Sequence, residues 1–297
     1  MIRFLPIYKQ TIWGHNRFAV EFNRTLPSEK IGESWELVEL EGNESQVANG
    51  PHEGKGLGEL WRSGIFGGSA QGKFPFMVKW IDTHQKLSVQ VHPDDAACKK
   101  LGFGQPKSEA FYIAEVDAGA FLLLGHYPGL DAATLRQASS GGTISKWLYE
   151  VMPRVGDIIT VPAGTLHCLG AGLLTLEVGQ PSATTFRVYD WDRTDAMGKM
   201  RHLAIEEACV SVNFPHSQVP KAEREGALGP TFRMQPLRVG IEVGGDNLRV
   251  FVADSGPAKL THLRGEEILE YGDLVVAEVA EGPVRVASGT AVLISEP

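Results

Sequence analysis

The apolar residues of this chain come in short runs that glycine and proline interrupt. The 34 Gly and 17 Pro are spread through 297 residues, and the runs between them are rich in Val, Ile, Phe and Thr. Runs of this length and composition are typical of strands. The clearest predicted strands are residues 76–81, 87–91, 110–114, 158–161 and 173–178. The sequence therefore predicts a mainly β protein.

Helical segments interrupt the β pattern. Asp94 and Asp131 stand where aspartate favours a helix start, because its carboxylate accepts a hydrogen bond from a free N–H of the first turn. The predicted helical segments are residues 96–101, 132–138, 144–151 and 203–212. We interpret these helices as packing layers around a β core.

Residues 215–230 are predicted to be a linker, because they hold three prolines and a cluster of charges with few apolar residues. The linker divides the chain into a domain over residues 1–214 and a smaller β subdomain over residues 231–297. The two parts share a weak sequence similarity, since GDIITVP at 156–162 resembles GTAVLIS at 289–295. Only the first copy continues into a histidine, so we expect the functional site in the N-terminal domain.

The composition of the chain limits the kinds of molecule that we expect it to bind. The formal charge is -8 and there is no block of Lys or Arg, so the sequence lacks the basic surface that nucleic acid or anionic lipid requires. No apolar run approaches the roughly 20 residues of a membrane span, and the first residues lack the apolar core of a secretory signal. Three widely spaced cysteines are typical of reduced thiols. We expect a cytoplasmic protein that binds small molecules.

Four residues with metal-binding side chains stand at the ends of predicted strands. Gln90 and His92 are two apart in LSVQVHPDD, so both side chains leave the same face of the strand. Glu109 begins another strand, and His167 follows the bend-forming sequence PAG. Two imidazoles, a carboxylate and an amide oxygen suit zinc with an open or water-filled position, as in a catalytic rather than a structural site.

The sequence around these residues resembles a known family. The pattern G-x5-P-x-G-x2-H over residues 156–167 resembles the second metal motif of the cupin superfamily. Together with LSVQVHPDD, PKSEAFYI and TTFRVYDWDR, it resembles the type I phosphomannose isomerases, zinc-dependent enzymes built on cupin barrels. The resemblance runs from Trp13 to about Phe214, which is most of the chain.

This resemblance implies a fold, a reaction and a set of site residues. The implied fold is a cupin, or jelly-roll, β-barrel with helical insertions over residues 1–214, followed by a smaller metal-free β unit at the C-terminus. The implied reaction interconverts mannose 6-phosphate and fructose 6-phosphate with one zinc ion per chain. The implied zinc ligands are Gln90, His92, Glu109 and His167. The implied catalytic residues are Lys107, Glu177 and Arg187.

The chemistry gives each catalytic residue type a reason to be present. Aldose–ketose isomerisation moves a proton between C1 and C2 through an enediol, so the site needs a base and stabilisation of the developing oxyanion. Lys107 and Glu177 are both candidates for the base, and the sequence does not decide between them. Arg187 is expected to bind the oxyanion or the phosphate. Lys86 is a second candidate for substrate binding; further phosphate candidates are Arg193 and Lys199.

One position departs from the family pattern. The family commonly has S-D-x-T-x-R before the arginine, whereas this chain has SATTFR, with Ala183 in place of the aspartate. If that aspartate assists ring opening or proton transfer, the departure predicts slower turnover or a different substrate preference.

Two alternative functions remain open from the sequence. A noncatalytic sugar-phosphate-binding paralogue is compatible with Ala183, although such a binder does not need all four ligand types. An iron-dependent cupin oxygenase could use two histidines and a carboxylate, but it would leave Gln90, Lys107 and Arg187 without a role. The sequence gives no information on the oligomeric state.

Overall fold

Antiparallel strands form most of the regular structure, as the sequence predicts. The computed structural model describes residues 1–194, 197–215 and 221–297. Among these residues, sheet A has seven strands, in the spatial order Ile7–His15, Ile31–Leu37, Met77–Thr83, Leu173–Gly179, Glu109–Val116, Ile158–Val161 and Ala222–Glu223. Sheet B has five, in the order Phe186–Tyr189, Val89–Val91, His167–Leu169, Leu122–His126 and Leu148–Val151. A small hairpin joins Glu39–Leu40 to Asn43–Glu44.

Sheets A and B face each other across an apolar layer. Alternate side chains of a strand share a face, and Ile81, Phe111 and Ile159 of sheet A pack in one cluster with Leu124 and Leu169 of sheet B. Two packed antiparallel sheets are the arrangement expected of a jelly roll. The five clearest predicted strands are all present, with ends that differ from the predicted ones by no more than two residues.

Short helices lie between the strands. The α-helices of the described residues are Arg17–Glu21, Leu57–Arg62, Asp95–Leu101, Ala132–Ser140 and Ile205–Ser211, and the 3-10 turns are Ile144–Trp147 and Val279–Glu281. Asp94 and Asp131 cap their helices as predicted, because their carboxylates accept hydrogen bonds from the N–H groups of Ala97 and Thr134. No helix in the described part of the chain combines the length and apolar character that crossing a bilayer requires.

The helices Asp95–Leu101, Ala132–Ser140 and Ile205–Ser211 pack on sheet B as the predicted outer layer. Leu135 and Ala208, from two different helices, belong to the same buried cluster as Val89 and Val188 of the sheet. The helix predicted over residues 203–212 is present as Ile205–Ser211. Sheet B is thus covered by apolar side chains on its helical face, while its other face meets sheet A.

The prediction of a helix over residues 144–151 was wrong. The chain makes one 3-10 turn, Ile144–Trp147, and then the strand Leu148–Val151. This strand pairs with Leu122–His126 at the edge of sheet B, with Val151 opposite Leu122. In so short an apolar segment, the spacing of the apolar residues does not distinguish a helix from a strand. Pairing with the neighbouring strand determines which of the two it forms.

Two further sheets follow in the C-terminal part of the chain. Sheet C has the order Ala227–Leu228, Arg233–Leu237, Ala291–Ser295, Val250–Ala253 and Leu274–Val276. Sheet D has the order Glu242–Val243, Val284–Ser288, Ala258–His262 and Gly265–Leu269. Phe251 and Leu293 of sheet C share a buried cluster with Leu260 and Val286 of sheet D.

Sheet C packs against the outer face of sheet A. Trp80 and Leu176 of sheet A belong to one buried cluster with Val250 and Ile294 of sheet C. The change from sheet A to sheet C falls within the predicted linker, because residues 222–223 pair with sheet A and residues 227–228 with sheet C. Residues 216–220 of that linker lie outside the described residues.

Candidate metal centre and active site

A cavity of about 300 Å³ lies between the inner faces of sheets A and B. Sheet A contributes lysine and glutamate side chains, and sheet B contributes imidazole, amide and guanidinium groups. This division follows from the strand period, since polar residues at alternate positions share the inward face with the apolar core. The cavity is therefore the place where the predicted site residues can meet.

His92, Glu109 and His167 converge beside this cavity. Each is at most 2% exposed, and one ligand atom from each lies within 4.8 Å of the others. The Oε1 atom of Glu109 is 3.1 Å from Nε2 of His167 and 3.4 Å from Nε2 of His92. Two imidazoles and a carboxylate at these separations can hold a divalent transition-metal ion.

A tight turn brings the two histidines together. Gly164 in the PAG sequence has φ 85°, a left-handed conformation that favours glycine. Its N–H donates to the carbonyl oxygen of His92 at 2.8 Å. His167 then begins its strand directly opposite Gln90. The turn thus fixes the spacing between the segments that carry three of the predicted ligands.

Both histidine rings are oriented by backbone carbonyl groups. Nδ1 of His92 lies 2.8 Å from the carbonyl oxygen of Thr184, and Nδ1 of His167 lies 3.0 Å from that of Thr165. A hydrogen bond at Nδ1 leaves Nε2 free to bind a metal. Burial and the nearby Lys107 cation lower the pKa of His92 to about 4, which keeps its imidazole neutral at physiological pH.

The unpaired atoms of this cluster fit a cation. Within the described residues, Nε2 of His92 and Oε1 of Glu109 are buried without a hydrogen-bond partner. A buried polar atom without a partner costs about 1–3 kcal/mol, so such atoms usually meet another group. A divalent cation between them would satisfy both, because a neutral imidazole and a carboxylate are electron-pair donors.

Gln90 lies within reach as a fourth ligand. Its amide nitrogen is 3.2 Å from Nε2 of His167, and its amide oxygen is 3.3 Å from the hydroxyl of Ser88. Rotation of the amide about its last bond exchanges the two positions and presents the oxygen to the histidine–glutamate cluster. The hydroxyl of Ser88 can accept from the amide nitrogen in that arrangement.

Two lysines bracket a buried glutamate next to the cluster. Nζ of Lys107 is 2.8 Å from Oε1 of Glu177 and 2.5 Å from Oε2 of Glu109. Nζ of Lys79 is 3.1 Å from Oε2 of Glu177 and 3.4 Å from Oε2 of Glu33. Glu177 therefore has an ammonium group at each carboxylate oxygen, and Lys107 connects it to a predicted metal ligand.

The pKa shifts in this network have opposite signs. Burial and the neighbouring Glu109 carboxylate raise the pKa of Glu177 above its ordinary value. Burial also opposes the charge of Glu109, but the Lys107 cation and the adjacent histidine side chains outweigh it and hold its pKa well below the ordinary value. Burial would lower the pKa of Lys79, but the carboxylates of Glu177 and Glu33 outweigh it and raise that pKa. Glu177 is thus the carboxylate that most readily accepts a proton.

Arg187 lies across the cavity from these groups, on the strand Phe186–Tyr189. Its Nε donates to the hydroxyl of Ser88 at 3.2 Å and its Nη1 to the carbonyl oxygen of His202 at 3.0 Å. Burial and the nearby cations of Arg201 and Arg193 lower the pKa of Arg187 from its ordinary value. Its guanidinium is held by neutral oxygens.

Seven of the ten predicted site residues meet around this cavity: Gln90, His92, Lys107, Glu109, His167, Glu177 and Arg187. Arg193 and Lys199, the further phosphate candidates, do not line it. Lys86 does not line it; its ammonium lies 3.5 Å from the ring centroid of Trp191. A role for Lys86 in substrate binding stays a prediction. Ala183 lines the cavity.

Sequence reasoning missed five polar residues that line the cavity: Glu33, Lys79, Ser88, Thr185 and Arg201. Lys79 could have been recognised as a site residue, because it is the one charged residue in the apolar run FMVKWI of a predicted strand. Ser88 could also have been recognised, since it shares a strand face with Gln90 and His92. Arg201 could not, because no sequence pattern connects it to the strands of the cavity.

Two facing antiparallel sheets with a histidine–glutamate centre between them define a cupin-type metalloprotein. The model of the type I phosphomannose isomerase catalytic domain matches residues 1–115. A mannose-6-phosphate isomerase of Streptococcus mutans is 39% identical over 224 residues, 72% of this chain and 71% of the relative. One from Bacillus subtilis is 36% identical over 218 residues, 71% of this chain and 68% of the relative. The chain belongs to the type I phosphomannose isomerase family.

Solved structures agree with this assignment. The crystal structure of the mannose 6-phosphate isomerase from Bacillus subtilis superposes with a TM-score of 0.88 at 28% identity, over 99% of this chain and 98% of that one. A mannose 6-phosphate isomerase bound with zinc and yttrium superposes with a TM-score of 0.74 at 14% identity, over 100% of this chain and 99% of that one. The second match shows the fold alone. The cupin-like fold expected from the sequence is confirmed.

Proposed function

We propose that this protein interconverts mannose 6-phosphate and fructose 6-phosphate. The observation that supports this most strongly is the position of Glu177, a carboxylate with a raised pKa that lies between two ammonium groups beside a metal-binding cluster. A proton carrier and cations within one cavity are what an enediol reaction needs. The family membership supports the same reaction and the same substrates.

We propose that His92, Glu109, His167 and Gln90 hold one zinc ion per chain. The unpaired buried atoms of His92 and Glu109 support this assignment, as does the neutral form of the His92 imidazole. When bound, the ion supplies a Lewis acid that polarises substrate oxygens next to the reacting carbons. The ligand set of two imidazoles, a carboxylate and an amide suits zinc.

We assign the base to Glu177 and the oxyanion contact to Lys107. Glu177 takes the proton from C2 of the aldose and returns it at C1, which its raised pKa favours, while the proton of the C2 hydroxyl passes to the C1 oxygen. Lys107 donates to Glu177 and to Glu109, so its ammonium is placed to stabilise negative charge that develops on a substrate oxygen. Lys79 holds the other oxygen of Glu177 and thereby fixes the direction of the carboxylate.

Arg187 is proposed to bind the phosphate group. Its guanidinium faces the cavity and is held by two neutral oxygens, so its charge is available to an anion. Ala183, which lines the cavity, is proposed to leave more room there than an aspartate would. The noncatalytic paralogue is less favoured, because a pure binding site has no need for a carboxylate held between two lysines.

The purified zinc-loaded protein tests this function directly. Incubation with mannose 6-phosphate should form fructose 6-phosphate, and incubation with fructose 6-phosphate should form mannose 6-phosphate. Mannose without the phosphate is the control substrate and should react far more slowly. If zinc is bound at one ion per chain and neither sugar phosphate is converted, the isomerase proposal fails and the noncatalytic paralogue replaces it. Oxygen uptake instead would support the oxygenase.

We further propose that residues 1–214 act as the catalytic unit and residues 231–297 as a smaller β subdomain without its own metal site. The three cysteines, Cys98, Cys168 and Cys209, are free. Free thiols are typical of a reducing compartment, so we place the protein in the cytoplasm. The proposed partner is the sugar phosphate itself.

A further inference from the structure

Asp190 is a buried carboxylate that binds two arginines. It follows the strand that carries Arg187 and is 3% exposed. Its Oδ2 accepts from Nε of Arg201 at 2.6 Å, and its Oδ1 accepts from Nη2 of Arg201 at 2.5 Å and from Nη2 of Arg193 at 2.6 Å. The contact with Arg201 is therefore bidentate, which fixes the plane of that guanidinium.

Arg201 lines the cavity together with Arg187 and Ser88. The three guanidinium groups of Arg187, Arg193 and Arg201 influence one another, and Asp190 is the carboxylate that two of them share. Arg187 and Arg201 line the cavity, so among the described residues this wall carries more positive charge than the Asp190 carboxylate neutralises. A phosphate group, which is negatively charged, would be attracted to this wall.

The turn after Asp190 has an unusual backbone. Trp191 and Asp192 have φ 59° and 53°, a left-handed conformation that is rare for a residue as bulky as tryptophan. Surrounding contacts hold the turn, because the indole N–H of Trp191 donates to the carbonyl oxygen of Leu87 at 2.6 Å and Nη1 of Arg193 donates to that of Lys86 at 2.7 Å. Such conformations persist where the surroundings impose them and occur often at functional sites.

This turn connects Asp190 to the segment that carries Ser88. Leu87 and Lys86 directly precede Ser88, whose hydroxyl accepts from Nε of Arg187. The turn therefore fixes the position of Arg187 through Ser88 and the position of Arg201 through Asp190. The contacts of this turn and of Ser88 thus position both guanidinium groups at the cavity.

We propose that Asp190 is a positioning residue that presents Arg201 to the cavity, so that Arg187 and Arg201 bind the phosphate group of the substrate together. The proposal rests on the proposed function, because it names the subsite for the phosphate of a hexose 6-phosphate. Two planar guanidinium groups match the geometry of phosphate oxygens better than a single point charge. Asp190 itself does not touch the substrate.

The first test compares Arg201→Met and Asp190→Asn with the unaltered protein. For Arg201→Met, the KM for mannose 6-phosphate and the inhibition constant of inorganic phosphate should both rise about 10- to 100-fold, as expected for a lost charge-assisted contact. The value of kcat should change much less, because the contact is equally present in the bound substrate and the transition state. Zinc content should stay at one ion per chain.

Asp190→Asn should reproduce the KM effect of Arg201→Met, and the double variant should be no worse than Arg201→Met alone. Non-additivity of this kind shows that the two residues act through one contact. Arg201→Lys should restore part of the affinity, since it keeps the charge but not the two parallel hydrogen bonds. If Asp190→Asn does not fold, the Arg201 variants still decide the matter, because that side chain is 26% exposed.

Arg136→Met is the matched control. Arg136 makes the same kind of bidentate contact with Glu206, but both side chains are exposed and neither lines the cavity. Its KM and phosphate inhibition should equal those of the unaltered protein. If Arg201→Met behaves like this control while the unaltered protein isomerises mannose 6-phosphate, the proposal is overturned.

Failure of the proposed function gives a different result. In that case the unaltered protein converts no sugar phosphate, and binding of inorganic phosphate to the zinc-loaded protein is measured by calorimetry instead. Phosphate affinity that falls in Arg201→Met but not in Arg136→Met would support the subsite. Equal affinity in all three proteins would overturn it.

Discussion

His167 and Glu109 lie on opposite sheets, yet Nε2 of the histidine is 3.1 Å from Oε1 of the glutamate. Glu109 begins a strand in the middle of sheet A, and His167 begins a strand in the middle of sheet B. The contact therefore joins the two layers of the protein at the edge of the apolar core. A cation bound here would therefore be held by residues from both sheets.

Replacing His167 with alanine should abolish metal binding. The variant loses one of two imidazole ligands and leaves one imidazole, one carboxylate and one amide oxygen, a weaker donor set than the two imidazoles and a carboxylate that catalytic zinc sites commonly use. Metal analysis of the purified variant should find far less than one zinc ion per chain. His126→Ala is the matched control, since His126 is also buried in sheet B but bonds backbone oxygens. Zinc near one equivalent in His167→Ala would contradict the assignment.

Replacing Lys107 with methionine should leave zinc in place and reduce turnover. The side chain loses the ammonium that donates to Glu177 and Glu109 but keeps a similar length, so kcat should fall about 100-fold or more. Activity and metal content are measured on the same preparation. Lys55→Met, at an exposed lysine paired with Glu59, should have no effect. Turnover that is unchanged in Lys107→Met would remove this lysine from the mechanism.

Glu177 should control the acidic side of the pH profile. A base must be deprotonated to act, so kcat should decrease as pH falls through the pKa of Glu177. Because burial and Glu109 raise that pKa, the decrease should begin at a higher pH than for an ordinary glutamate. Glu177→Gln should lower kcat about 100-fold or more and leave a small residual rate without this pH dependence. If kcat of Glu177→Gln still decreases at low pH in the same way as kcat of the unaltered protein, the base is another group.

Tyr112→Phe should destabilise the protein without affecting the site. The hydroxyl of Tyr112 donates to Asp254 at 2.5 Å, where Thr290 also donates, and this buried contact joins sheet A to the C-terminal part of the chain. Loss of a buried hydrogen bond to a carboxylate should lower the free energy of unfolding by about 1–3 kcal/mol, measured by denaturant titration. Tyr127→Phe, at a 43% exposed tyrosine, is the control.

Zinc content and KM should stay the same in Tyr112→Phe, because Tyr112 points to the face of its strand opposite that of Glu109. An unfolding free energy equal to that of the unaltered protein would show that the contact does not stabilise the packing of the two parts. A lower zinc content would show instead that the outer face of sheet A influences the metal centre.

Local sequence patterns predicted much of the fold and the metal cluster. The strand Ile158–Val161 was predicted to the residue, because Gly156 and Pro162 mark its ends. The aspartates that cap two helices could be recognised because capping is a local interaction. Gln90 and His92 could be placed on one face because strand alternation needs no knowledge of the neighbouring strands.

Other features depend on contacts that local patterns do not contain. The strand Leu148–Val151 was mistaken for a helix because its partner, Leu122–His126, determines its conformation. Arg201 was missed because it reaches the cavity through Asp190 and not through a strand of its own. The raised pKa of Glu177 depends on burial and on Glu109, which only the folded arrangement brings together.

The most direct test of the account is the rate of mannose 6-phosphate isomerisation as zinc is removed and restored. The zinc-loaded protein should isomerise the substrate, lose that activity after treatment with a chelator, and recover it when one zinc ion per chain is added back. His167→Ala should not recover under the same treatment. A protein shown to be free of metal that still isomerises mannose 6-phosphate at the original rate would contradict the central claim.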